Sequence, residues 1–372
     1  MFYVVIASLL AAAVYSVDSL VKSRNSSCVT IFILVAAVSV LVSGLRAETV
    51  GTDTLVYGEP IYQEALNYPF EVYITLNHSF APLFQVASWA LAQISPTVSV
   101  FLGMIGFLVI LPFALVIIMS DREVRWLITL YIMLLFFPAS LNMMRQSIAL
   151  GWVCLGIMLA CKHRYAKMVY SLLTATLFHN SALLVLLIIP AVLLVGSKRK
   201  AVAPVVIGIS IISIFGYLFY GELVDVLAFV AGSYVQYLGD GSGGYKGSTL
   251  LIEIALICLI KAHVKRMPAQ KLGDRKTLTF LFLLLMFGLM INWMSVRAAY
   301  FYRVALYFIS AVPFSAAFIY RNSAFIGNGA HFRSSEVQIT ATKALLVAMP
   351  ILVSIVYYSI LGMHEVVPYM LR

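Results

Sequence analysis

Charge is scarce in this sequence. Only 11% of its 372 residues are Asp, Glu, Lys or Arg, against 62% hydrophobic ones, and that shortage excludes a soluble domain with a solvated surface. Cysteine is scarce too: Cys28, Cys154, Cys161 and Cys258 all fall in or beside apolar stretches without metal-like spacing. A disulfide framework and a zinc site are thereby excluded. The glycine-rich Gly239–Gly247 lacks the Lys-Ser/Thr ending of a P-loop. No internal repeat is visible, so the inverted symmetry of many transporters finds no support. The first apolar stretch, Phe2 to Val17, has neither a basic stretch ahead of it nor a cleavage site, and reads as an anchor, not a removable signal peptide.

What is present is apolar length. Lipid tolerates no unsatisfied backbone, so long apolar runs become helices. The hydropathy profile predicts an all-α polytopic integral membrane protein with about 12 transmembrane helices, in a range of about 10 to 14. The segments are 2–17, 28–45, 98–119, 126–140, 146–161, 165–178, 181–195, 201–219, 248–262, 278–293, 300–320 and 343–361.

The net charge of +10 is a matter of topology. Basic residues gather at Lys22/Arg24, Lys162/Arg164/Lys167, Lys198–Lys200, Lys261–Lys276 and Arg321/Arg333/Lys343, and the acids Glu48, Asp53, Glu59, Glu64, Glu71, Glu222, Asp225 and Asp240 fall in the opposite loops. The positive-inside rule makes the basic loops cytoplasmic, places both termini outside and removes nucleic acid as a partner. Counting Phe80–Ile94 as a span would break this parity. Residues 46–97 therefore read as one large external loop carrying an interfacial amphipathic helix, the alternative being a short true span there with another segment re-entrant, and 221–247 as a second external loop, within a single transmembrane domain, 1–372.

Five arginines stand at or inside the ends of apolar segments: Arg46, Arg125, Arg145, Arg297 and Arg303. A cation at membrane depth costs at least ~2.5 to 3.5 kcal/mol, so one that persists faces a polar cavity and handles an anion. Arg46 precedes the turn Gly51-Thr52-Asp53-Thr54, where Asp53 can pair with it or cap a helix. Arg145 and Gln146 follow Pro138 and Asn142 and open a span, where a planar guanidinium fork suits phosphate oxygens or snorkels to the interface. Tyr300, Arg303 and Tyr307 share one helical face, with Arg297 just before it. Such a stripe stacks on sugars and neutralises phosphate, or forms an interfacial aromatic belt. His179 lies in the polar turn His179-Asn180-Ser181 at a helical hairpin tip, as a general base or a turn-stabilising residue. Glu253 is a partner for one arginine or a snorkelling acid. His78 and His364 lie outside, near no cluster.

The order Gly44-Leu45-Arg46, Gly51-Thr52-Asp53-Thr54 with Tyr57, Phe70-Glu71, Met144-Arg145-Gln146 with Ala149, Phe178-His179-Asn180-Ser181-Ala182, Arg297 to Arg303 and Val367-Pro368-Tyr369 resembles the EpsG family of Wzy-type polysaccharide polymerases over nearly the whole chain. No motif is assigned between about 201 and 290. The resemblance implies a GT-C-like fold in the bacterial inner membrane, with the active site facing outward. It implies a substrate linked to undecaprenyl pyrophosphate, the growing glycan passing to the non-reducing end of an incoming repeat unit, with a chain-length regulator and a flippase as pathway partners. In that frame Arg145, Arg297 and Arg303, with Arg46 auxiliary, hold the pyrophosphate, and His179, then Asp53 or Glu71, serves as base. Tyr300, Tyr307 and Gln146 contact sugar, and no metal or other cofactor is needed. A lipid-linked oligosaccharide flippase and an O-antigen ligase are the alternatives. A membrane acyltransferase fits poorly, because the candidate histidine faces outward, and the number of costly polar residues disfavours a non-enzymatic assembly partner.

Overall fold

The computed structural model describes residues 1–196, 199–219, 247–266, 272–296, 299–323, 332–362, 364 and 366–371. Every predicted span within them is helical. The helices are α1 Phe2–Leu20, α2 Arg24–Gly44, α3 Glu59–Asn67, α4 Phe70–Leu76, α5 Pro82–Ile94, α6 Val98–Met119, α7 Arg122–Tyr131, α8 Phe137–Ser140, α9 Met144–Cys161, α10 Tyr165–Phe178, α11 Leu183–Gly196, α12 Arg199–Leu218, α13 Gly247–Arg266, α14 Leu272–Met294, α15 Ala299–Ile309, α16 Val312–Arg321 and α17 Phe332–Ser354. Among the described residues, eight helical runs are long and apolar enough to cross a membrane. They are α1, α2, α6, α7 with α8, α9, α14, α15 with α16, and α17 with the turn after it. The other four predicted spans, α10 to α13, are shorter or less apolar helices. The 221–247 loop lies outside the described residues except for Gly247.

The chain forms two compact units, Met1–Leu186 with Val347–Arg372, and Leu187–Leu346. In the first, small residues let α2 and α6 approach closely, as membrane helices do without a hydrophobic drive between them. A Cβ at Gly44 would stand 2.8 Å from the Ser99 carbonyl, and one at Gly106 would overlap Ser43. Apolar side chains such as Val5, Leu9, Ile33 and Leu41 point outward instead. Thr97 opens α6 by accepting the Val100 N–H at 3.3 Å. Before Pro138, which has no N–H to give, the helix widens into a π turn, Ile132–Phe136.

These contacts define two ends of the first unit. At one, Arg125 meets Asp18, Ser27 and the carbonyls that end α6. At the other, Arg46 meets the start of α9. Because α9 has 18 residues and so rises ~27 Å, Arg145 and the basic Lys162–Arg164 turn lie at opposite ends.

Residues 46–97 fold on the Arg46 end as α3, α4 and α5. Their 9, 7 and 13 residues are each too short to cross a hydrocarbon core of ~30 Å. Polar bonds join them: Tyr73 Oη and Ser88 Oγ lie 2.7 Å apart, Asn77 Nδ2 donates to Glu64 Oε2 at 2.9 Å, and Gln93 Nε2 donates to the Ala65 carbonyl at 2.6 Å. Burial between these helices pushes the Tyr73 phenol up to about 12.

Candidate functional site

The Gly51-Thr52-Asp53 loop docks flat on the Leu141-Asn142 turn that precedes α9. Gly51 is at φ +79, and a Cβ there would overlap the Leu141 carbonyl, so this approach needs glycine. Asn142 Oδ1 then accepts from the Thr52 hydroxyl at 2.8 Å and from the Asp53 N–H at 3.1 Å. One turn after Asp53 comes Tyr57, and one turn after Asn142 comes Arg145. The two segments run in register, and the Arg145 guanidinium lies 4.8 Å from the Tyr57 ring centroid and 4.1 Å from that of Phe80. Two ring faces inclined at 74° to each other thus border the guanidinium, which stays partly exposed and presents a planar fork of N–H donors suited to phosphate oxygens.

Arg46 is placed differently. It is 2% exposed, donates through Nη2 to Met144 Sδ at 3.3 Å, and its buried Nε has no hydrogen-bond partner among the described residues. Burial pulls the guanidinium down to about 10, while Tyr3, Asp53 and Tyr369 act to raise it, so it is cationic at neutral pH. Beside it lies a crevice too small to admit water, lined by Arg46, Ser43, Leu102, Ile105, Ser140 and Met144.

The cover over Arg46 is the end of the chain. Ala47 N–H donates to the Met370 carbonyl at 2.7 Å beside a bridge from Arg46 to Leu371. The Tyr369 hydroxyl donates to the Val42 carbonyl at 2.8 Å, its ring stacks on Phe2 at 4.1 Å, and the Tyr3 hydroxyl donates to the Val366 carbonyl at 2.9 Å. The same segment brings in His364, which sequence reasoning set aside. Its Nδ1 lies 3.3 Å from Asn142 Nδ2 and its Nε2 lies 3.2 Å from Tyr357 Oη. The legible signal for it was Val367-Pro368-Tyr369, a motif just downstream in a segment already read as external.

The remaining candidates separate. His179 caps the short turn Asn180–Ala182, its Nδ1 accepting from the Ser181 N–H at 3.3 Å and from the Ser181 hydroxyl at 2.8 Å. The neutral ring therefore carries its proton on Nε2. Gln146 is buried at the start of α9, and Glu71 stands exposed on α4. In the second unit Arg303 is exposed and Tyr307 wholly buried on α15. Arg297 and the side chain of Tyr300 lie outside the described residues.

Two expectations are corrected. Arg125 handles no anion from outside: it is wholly buried, Nη1 is 2.6 Å from Asp18 Oδ1, and it donates to the Ile117, Ile118 and Ser120 carbonyls. Glu253 is not snorkelling and, among the described residues, is bonded to no arginine. It is 0% exposed and its Oε1 accepts from Asn292 Nδ2 at 2.9 Å within the second unit.

The described residues thus form a multi-pass helical protein whose first unit carries a guanidinium bordered by two aromatic rings at one end. The chain matches the EpsG family over residues 29–371 and belongs to that family, whose members are Wzy-type polysaccharide polymerases. No curated protein and no solved structure matches it.

Proposed function

We propose that this polymerase, GT-C-like in fold, elongates a lipid-linked glycan on the outer face of the bacterial inner membrane. It transfers the growing chain from undecaprenyl pyrophosphate to the non-reducing end of an incoming repeat unit. The observation that carries this reading is the aromatic-flanked Arg145 beside the docked Asp53 loop. The orientation follows from the basic Lys22, Arg24, Arg122 and Lys162–Arg164 at the opposite end of the first unit, by the positive-inside rule.

In this mechanism the acceptor hydroxyl attacks the anomeric carbon, the bond from that carbon to the phosphate oxygen breaks, and the pyrophosphate leaves with the bonding electrons. Arg145 donates to the phosphate oxygens as charge develops on them, and charge-assisted donors fixed in place are the largest lever on such a step. Arg46, beneath the surface, adds positive potential without contact. Asp53, whose carboxylate interacts electrostatically with Arg46, takes the proton of the acceptor hydroxyl. His179 cannot be that base while its Nδ1 lone pair is held by Ser181; it serves as an Nε2–H donor to substrate. The α3–α5 layer limits water, the competing acceptor. Arg297, Arg303 and Tyr300 are kept as sequence-based candidates for donor contacts, and guanidiniums make a metal unnecessary.

Purified protein given a defined undecaprenyl-pyrophosphate repeat unit tests the proposal by gel. A ladder supports it. A single addition to lipid A core points to a ligase, and translocation without turnover points to a flippase. Asp53→Asn should abolish the ladder, whereas an undiminished ladder removes Asp53 as base.

A further inference from the structure

Hydrogen-bond direction along the Asp53–Asn142–His364–Tyr357 chain is forced from one end. The Asp53 N–H can only donate, so the Asn142 atom 3.1 Å from it must be the amide oxygen. The other end of that amide is then NH2, and it faces His364 Nδ1 at 3.3 Å. Only an unprotonated Nδ1 accepts there. The neutral ring must therefore carry its proton on Nε2, which is 3.2 Å from Tyr357 Oη. His364 sits at φ +66, a conformation that costs a branched or bulky residue most and suits asparagine, aspartate or histidine.

We propose that His364 is a positioning residue for Asp53, acting through Asn142, and that it holds the loop only as the neutral Nε2–H tautomer. The inference rests on Asp53 being the base. When Nδ1 takes a proton, the imidazolium N–H confronts the Asn142 NH2, two donors with no acceptor between them. The amide must turn or withdraw, and the Asp53 N–H and Thr52 hydroxyl lose their acceptor. The loop then lifts from the Leu141-Asn142 turn. Among the described residues, the titratable groups that face the ring are Tyr357 and Tyr358 in ring contact, Tyr3 beyond Tyr358, and Asp53 across Asn142. Phenols titrate in the alkaline range, so a histidine-type acid limb belongs to His364 unless a carboxylate, that of Asp53 or of Glu365 next to His364 in sequence, sets it.

The experiment measures polymer formation against pH for the full chain in nanodiscs, supplied with the producing strain's own radiolabelled lipid-linked repeat unit. Asp53→Asn, Asn142→Ala, His364→Ala and His364→Asn are compared with the parent. His364→Asn restores an acceptor at the Nδ1 position, tolerates the positive φ and does not titrate. It should keep turnover within about threefold at neutral pH and move the acid limb down to that of a carboxylate. His364→Ala and Asn142→Ala should each lose on the order of 10²-fold in turnover, the scale of a small misplacement of a reacting group. Their double variant should lose little more, because one link has been cut twice.

An unchanged acid limb in His364→Asn, or additive losses in the double variant, overturns the inference. If Asp53→Asn is inactive while His364→Ala is not, only the positioning role falls. If Asp53→Asn is active, the base assignment falls first. Should His364→Ala fail to fold, Asn142→Ala and His364→Asn decide the matter without it.

Discussion

Replacing Arg145 tests the site where its geometry is best defined. The guanidinium centre sits 4.1 Å from the Phe80 centroid and 4.8 Å from the Tyr57 centroid. Each contact at such a half-exposed site contributes about 0.5 to 2 kcal/mol. These contacts fix orientation; the charge opposite the leaving pyrophosphate does the larger part. Loss of one fixed donor to a developing oxyanion costs about 2.7 to 4 kcal/mol, or 10² to 10³ in rate. Arg145→Ala should therefore lower kcat by that factor with a smaller effect on KM, since the interaction strengthens as the bond breaks. Arg145→Lys keeps the charge but neither stacks nor forks, and should fall between Arg145→Ala and the parent. Tyr57→Ala or Phe80→Ala leaves the charge but releases its plane, for a loss of about tenfold each. The assay is initial-rate ladder formation with a defined lipid-linked unit, each variant normalised to protein recovered from the membrane. Arg145→Ala within threefold of the parent, or aromatic variants worse than Arg145→Ala, would refute the reasoning.

Other predictions concern stability. Arg125→Ala should destabilise the detergent-solubilised protein by about 3 to 5 kcal/mol, because it removes the nearest cation from the buried Asp18 carboxylate and leaves it Ser27 and the more distant Arg122; thermal unfolding measures this, and turnover per folded molecule should not change. Gly51→Ala forces a side chain into positive φ and into the Leu141 carbonyl, so both thermal stability and polymer yield should drop, the latter to near zero if the Asp53 loop lifts. Glu253→Gln keeps the shape of a buried carboxyl group whose Oε2 has no hydrogen-bond partner among the described residues and should leave the unfolding temperature within a few degrees. Glu253→Lys should prevent folding, and a well-folded lysine variant would show that water reaches this position.

Helix placement was legible because lipid makes one demand, and long apolar runs meet it whatever the tertiary context. Hence the predicted spans and the short hairpin at His179 are helices where hydropathy put them. Partners were not legible, because pairing depends on distant sequence. Arg125 meets Asp18 across 107 positions, and no local pattern separates it from an arginine awaiting an anion. Arg46 gave the same signal as Arg145, yet one is roofed by residues 366–371 and the other lies between aromatic rings. His364 looked isolated because its neighbours in space are 222 positions away on the turn at Asn142.

The contrast between Arg125 and Arg46 also sorts structural from functional charge. Both guanidiniums are almost completely buried. Arg125 is met by a carboxylate and three carbonyls, so its desolvation is offset within the fold. Among the described residues Arg46 has a thioether on Nη2 and no partner on Nε, an arrangement a folding chain could improve by placing one acceptor nearby. Its retention beside Asp53 and next to the motif residue Arg145 argues that the uncompensated potential has a use at that end of the unit. In the proposed mechanism a field from beneath attracts a diphosphate without gripping it, which lets the leaving lipid carrier depart. Arg46→Gln should accordingly raise thermal stability or leave it unchanged, by relieving a buried charge, while weakening binding of undecaprenyl pyrophosphate as a product inhibitor by about tenfold. A variant both less stable and equally inhibited would place Arg46 with Arg125, as part of the scaffold.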